Sequence, residues 1–255
     1  MIFGGLPFSV KLRRASEYEA FLAVVAYALA QRVLAVSYMS EGTMPRQVIQ
    51  NHATAIQAPY LLHFTRALNL PSITAHGLYP IDRVHEIGAR PHINDQYRWD
   101  GHRNSTSVSI GFPNCKMLYK YRLEDATVDW VILVLSPSIL WVKNCAFCRY
   151  NAADGRISRQ PLPSLMSPPS FVGMYDEIEG LPSRLEQRLK SFDPTDVQAE
   201  ILVFDVIEPQ YIVGAIFEKA VVRDNYLPCL EGRKTYIHAN SKGMFASRGY
   251  ARKYE

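Results

Sequence analysis

Apolar and polar positions along the chain mark short elements separated by long polar stretches. The run AFLAVVAYALA at residues 20–30 stops at Gln31 and Arg32, well short of the ~20 apolar residues that cross a bilayer, so residues 15–39 read as an amphipathic or buried helix. The polar stretch SEGTMPRQ at 40–47 follows, punctuated by Gly42 and Pro45, and a boundary is expected near residue 57. From Pro59, YLLHFTRALNLPSITAHGL predicts a short strand with His63, Phe64 and Thr65, then a helix through Leu70 and Ile73 closed by Gly77.

Residues 80–105, rich in His, Arg, Asn, Asp and Gly, lack a sustained apolar period and read as a long ordered loop of the kind that serves function. STSVSIGF predicts a strand, and NCKMLYKYR at 114–122 opens a short helix. DWVILVLSPSILW at 129–141 begins as a β-branched run suited to a strand buried on both faces and is ended by Pro137. Pro161, Pro163, Pro168 and Pro169 exclude a continuous helix or central strand over 151–170, leaving a mobile or wrapped segment. A short helix over Ser183–Lys190, a strand in AEILVFDVI and another strand or edge in YIVGAIFE at 211–218 complete the pattern. No repeat is visible, and regular βαβ alternation is missing. The class is α+β, with several short strands and long loops.

Composition bounds this picture without changing it. With 255 residues, 48% hydrophobic and 20% charged, the chain can bury one substantial core. The formal charge of +4 tolerates a polyanionic partner but does not demand one. The basic positions Lys11, Arg13 and Arg14 ahead of an apolar run imitate a secretory signal, yet Glu17 and Glu19 interrupt them. Four cysteines, Cys115, Cys145, Cys148 and Cys229, are too few and too irregular for a disulfide framework, which favours a reducing cytoplasm. Cys145 and Cys148 have zinc-like spacing, but no second pair stands at a matching distance, so two buried thiols are expected and no metal.

Three blocks carry candidate chemistry: HFTRALNLPSITAHGL at 63–78, NDQYRWDGHRNSTSVSIGFPNCKMLYKYR at 94–122, and PTDVQAEILVF at 194–204. In this order they resemble the DarT family of DNA ADP-ribosyltransferase toxins, over residues 59–250, and with CAFCRYNAA at 145–153 they look most like its guanine-modifying branch. The resemblance implies an ADP-ribosyltransferase-like split β-sandwich with peripheral helices, comprising residues 58–255 behind an N-terminal helical extension at 1–57. It implies NAD as co-substrate, single-stranded DNA as acceptor, a monomer with no membrane association, and an antitoxin hydrolase of the DarG macrodomain or NADAR type as partner.

Carried over residue by residue, the resemblance makes Glu200 the catalytic glutamate. Breaking the nicotinamide bond builds positive charge on the ribose, and one well-placed carboxylate stabilises it. Arg98 is the first choice for a catalytic arginine that grips phosphate oxygens with its fork, with Arg103 and Arg90 behind it. His63, Phe64, Thr65, Gly77 and Arg103 would bind the dinucleotide, Gly77 by letting backbone pass close to it. Trp99, Lys116, Tyr119, Lys120 and Arg122 would bind the single strand through stacking and phosphate contacts. Beside each role stands a plainer one: Glu200 as a solvated strand edge, His63 as a satisfied core histidine, Arg98 as a structural arginine, and residues 116–122 as a solvated face. Alternatives in function are an acceptor in protein or RNA, or a non-catalytic nucleic-acid-binding module on the same fold.

Overall fold

A computed structural model describes residues 45–95, 97–239 and 241–254. The chain divides into residues 1–48 and 49–255, and the helix expected over 15–39 lies outside the described residues. Helix α1, Pro45–Ala55, begins inside the stretch read as polar punctuation. Its Ile49 and Ala53, one turn apart on one face, join the main core, so the compact unit starts ahead of residue 57.

Among the described residues seven strands follow: β1 Leu61–Arg66, β2 Thr106–Ile110, β3 Trp130–Leu135, β4 Cys145–Cys148, β5 Glu200–Val203, β6 Ile212–Phe217 and β7 Lys234–Ile237. They form one sheet in the order β4-β5-β2-β1-β3-β6-β7, antiparallel throughout except for β6 and β7. β3 lies between β1 and β6, and all of its residues are buried. Val131, Leu133 and Leu135 enter one core cluster while Trp130, Ile132 and Val134 enter another, as strand alternation requires when both faces are covered. β1 and β2 share only Leu61↔Ile110 and Leu62↔Ser109. Beyond Leu62 their ladder stops, and the sheet divides into β4-β5-β2 and β1-β3-β6-β7. The α+β class read from the sequence is the one observed.

The helices are α2 Leu70–His76, α3 Cys115–Glu124, α4 Ile139–Val142, α5 Gly155–Ser158, α6 Leu162–Leu165, α7 Pro168–Gly173, α8 Ala220–Leu230 and α9 Arg248–Tyr254. The proline-rich segment is thus a wrap of three short helices. Asp154 and Ser167 cap two of them, and Pro168 occupies the first turn, where a missing N–H costs nothing. The helix expected over Ser183–Lys190 is instead a series of turns: Ser183 and Glu186 form a capping box and Gln187 N–H bonds Ser183 O, but Arg188 at φ 56° ends the turn and Arg184 binds the carbonyls of Lys190 and Asp193. YIVGAIFE is an interior strand, β6, since β7 covers its outer edge. Cys145 and Cys148 fall in clusters on opposite faces of β4, an arrangement that the offset of three residues dictates in a strand. Among the described residues no helix is long and apolar enough to cross a membrane, and no group of side chains is arranged to hold a metal ion.

Candidate active site

The site grows out of the gap between β1 and β2. Glu200 opens β5, which is wedged between β4 and β2 with Glu200 opposite Cys148 and Ile201 opposite Val108. A turn closed by Ala199 N–H to Asp196 O leads into it. Alternation sends Ile201 and Val203 into the main core and Glu200 and Leu202 to the other face. Glu200 as a whole is 5% exposed. Ser107 Oγ donates to Oε2 at 2.5 Å and Asn151 Nδ2 donates to Oε1. Among the described residues it meets no cation within ion-pair distance. Burial lifts its pKa to about 7; the Ser107 bond and the Arg98 charge oppose the rise, while Asp100 and Asp95 add to it.

His63 stands across the gap, its Nδ1 at 2.9 Å from the carbonyl oxygen of Ser107. A carbonyl only accepts, so Nδ1 carries the proton and Nε2 keeps a lone pair. Burial pushes the imidazole pKa down, the Ser107 bond raises it, and the positive charge of Arg98 lowers it further. The ring is neutral at pH 7. Thr65 Oγ1 accepts from Asn69 Nδ2, and Asn69 also holds both His92 N–H and His92 O. That amide fixes the 91–94 loop beside β1. Phe64 packs against Tyr121 and Trp130, which also stack on each other.

Arg98 reaches the cleft as expected but arrives with its fork occupied. Nε and Nη2 bind Asp100, Nη1 binds Ser105 O at 2.7 Å and Nη2 binds Ser105 Oγ at 2.8 Å. The pair is buried, and Arg98 sits at φ 43°, a left-handed backbone stabilised by these contacts and by Asp95 Oδ1 accepting from its N–H. The face expected to grip phosphate is taken by Asp100. Gly77 also has a local reason: at φ 97°, a Cβ would stand 2.3 Å from Ile207 O, so the close approach is to this chain's own backbone.

A cleft of about 500 Å³ joins these groups, within the usual size of ligand sites. Its walls include His63, Phe64, Thr65, Gly77, Arg98, Trp99, Lys120 and Glu200. Trp99, 78% exposed, stacks on Tyr97 at 5.8 Å between ring centres. The helical period splits the NCKMLYKYR group: Met117, Lys120, Tyr121 and Glu124 face the cleft, whereas Lys116, Tyr119 and Arg122 line a second groove on the other side of α3. Arg122 is bound there to Glu218 and Phe245 O. Among the described residues Arg103 is not part of the cleft wall; its carbonyl accepts from Asp82 N–H. Ser107 and Asn151 were missed by sequence reasoning, although both lie inside quoted blocks, and Asp100 sits two residues from Arg98.

Fold and cleft together define an enzyme-type α+β domain: one buried acid without a counter-charge faces a ligand-sized opening in a sheet, where shifted acidities concentrate. Residues 62–242 match the family model described as DarT, ssDNA thymidine ADP-ribosyltransferase. The chain belongs to the DarT family of ssDNA ADP-ribosyltransferases. Among solved structures it is similar to Thermosipho africanus DarTG in complex with ADP-ribose, at 16% identity and a TM-score of 0.47, covering 70% of this chain and 49% of that one. It thus spans about half that protein's length. Thermus sp. 2.9 DarT in complex with ADP-ribosylated ssDNA is 16% identical over 72% of this chain and 95% of that chain, with a TM-score of 0.46. The same protein in complex with NAD+ is 13% identical over 71% and 96%, with a TM-score of 0.43. No curated relative matches the sequence.

Proposed function

We propose that this chain transfers one ADP-ribose from NAD to a base of single-stranded DNA, with guanine preferred, and acts as the toxin of a toxin–antitoxin pair. The carrying observation is the buried Glu200 carboxylate opening onto the cleft opposite His63–Thr65. NAD supplies the ADP-ribosyl group, with nicotinamide as the leaving group. Glu200, held by neutral donors alone, keeps its negative charge undiluted for the positive charge that develops on the ribose as the glycosidic bond opens. Its acidity near neutrality also allows it to accept a proton from the attacking nitrogen of the base. The Nε2 lone pair of neutral His63 accepts a hydrogen bond from a ribose hydroxyl, and Thr65 and Phe64 shape the same wall. Arg98 acts through its field and by fixing the loop that carries Trp99. Trp99 offers a stacking face and Lys120 a phosphate contact at the rim.

The guanine preference rests on the NSTSVSIGFPNCKMLYKYR and CAFC segments; the family's description favours thymidine as the second reading. A cytoplasmic monomer with the residues before Ile49 as an appendage, and an antitoxin hydrolase of macrodomain or NADAR type, complete the proposal. The T. africanus DarTG structure bears on the partner by its name. The test incubates the protein and its Glu200→Ala variant with NAD and labelled single strands differing in one G or one T. Addition of one ADP-ribose to the G strand, lowered ~10²-fold or more by Glu200→Ala, is expected. Modification of T alone would reverse the base preference, and an unmodified DNA with a modified protein or RNA would reassign the acceptor.

A further inference from the structure

We propose that Asn151 is a positioning residue that orients the Glu200 carboxylate and keeps it ionised for transfer, an inference that rests on the catalytic role of Glu200. The side chain follows β4 and lines the cleft. Its own orientation is dictated locally: Oδ1 accepts from Ala153 N–H at 3.0 Å, so the amide must present Nδ2 to Glu200 Oε1. The opposite assignment would leave an N–H facing an N–H.

The loop that carries Asn151 is held on both sides. Asn151 O accepts from Asp154 N–H at 2.9 Å, and Asp154 caps α5. Arg149 donates to the carbonyls of Asp176 and Glu177, and Arg156 lies 3.6 Å from the centre of the Tyr150 ring. With Ser107 on Oε2 and Asn151 on Oε1, the carboxylate is suspended at two points and its plane cannot turn, while each oxygen keeps a second lone pair. Both suspending groups are neutral donors, and an amide N–H can only donate. The contact therefore favours the ionised acid and works against the effect of burial. The other titratable groups facing Glu200 are Asp95, Arg98 and Asp100 of the long loop, Cys148 of β4 and Tyr121 of α3, with His63 beyond the Ser107 carbonyl. None replaces the Asn151 donor.

The test reads Glu200 directly by carbon-detected NMR of the full chain labelled at glutamate carboxyls, with Glu200→Gln identifying the resonance. In Asn151→Ala the Glu200 midpoint is expected to move up by about one pH unit or more. The acid limb of the pH–rate profile for ADP-ribose transfer should move with it, so that activity recovers toward pH 9. Asn151→Asp keeps the acceptor for Ala153 N–H and replaces only the donor; it should raise the midpoint further, because two acids then compete for one proton. It also serves if Asn151→Ala fails to fold. An unchanged Glu200 midpoint in either folded variant overturns the proposal. Full activity of Glu200→Gln would instead overturn the catalytic reading of Glu200, and the titration would still report whether Asn151 tunes the acid.

Discussion

Asp193 and Glu200 are buried carboxylates on one short stretch of chain, and the fold treats them in opposite ways. Asp193, with 0% exposure, meets the guanidinium of Arg252 in two bonds of 2.7 Å and caps Lys190 N–H. Around it Arg248 binds the carbonyls of Pro194 and Thr195, and Arg184 binds Asp193 O and Thr195 Oγ1. Helix α9 thereby fastens the segment that leads into β5. Glu200 is also buried but receives only a hydroxyl and an amide. An acid whose charge is answered inside the protein is a strut; an acid whose charge is left unanswered keeps its field for something that enters from outside.

The largest effect is expected at the strut. Asp193→Asn leaves the Arg252 charge buried without an answer, and urea unfolding should record a loss of about 3–5 kcal/mol. A loss below about 1 kcal/mol would show that the pair is not what fastens α9. Glu200→Gln should do the reverse to stability. The folded-state pKa is near 7 against an ordinary value of 4.5. The folded form therefore holds the proton that the unfolded form releases, and stability falls as pH rises from about 4.5 to 7. Removing the acid is expected to stabilise the fold by about 3 kcal/mol at pH 8 and by almost nothing at pH 4. Equal gains at both values would mean that burial does not burden this carboxyl. The smallest effect belongs to a third acid: Asp129 pairs with Lys219 at the surface, the two side chains 41% and 55% exposed. Asp129→Asn should leave the unfolding midpoint nearly unchanged, since solvent screens such pairs.

What could be read from the sequence follows the same division between local and non-local causes. The strand with His63 and Thr65, the doubly buried run from Trp130 and the strand starting at Glu200 were legible, because alternation and β-branching are local signals. The order that inserts β5 between β4 and β2 was not, and it is this order that brings Ser107 and Asn151 to the carboxylate. Likewise, the preference of Arg98 for Asp100 over an outside anion depends on a left-handed residue that periodicity cannot signal. The split of residues 116–122 between two grooves was available in the helical period, once the helix was granted. α8, β7 and α9 escaped notice because Pro228 lies within α8 and the edge strand β7 is half exposed.

Gly77 fixes one further property. Leu78 and Ile207 exchange backbone bonds of 2.8 and 3.0 Å in both directions, and the missing side chain at 77 lets the two backbones touch. The stretch behind α2 and the stretch beyond β5 are thus clasped back to back. That clasp ties the chain leaving β1, the strand of His63, to the chain leaving β5, the strand of Glu200.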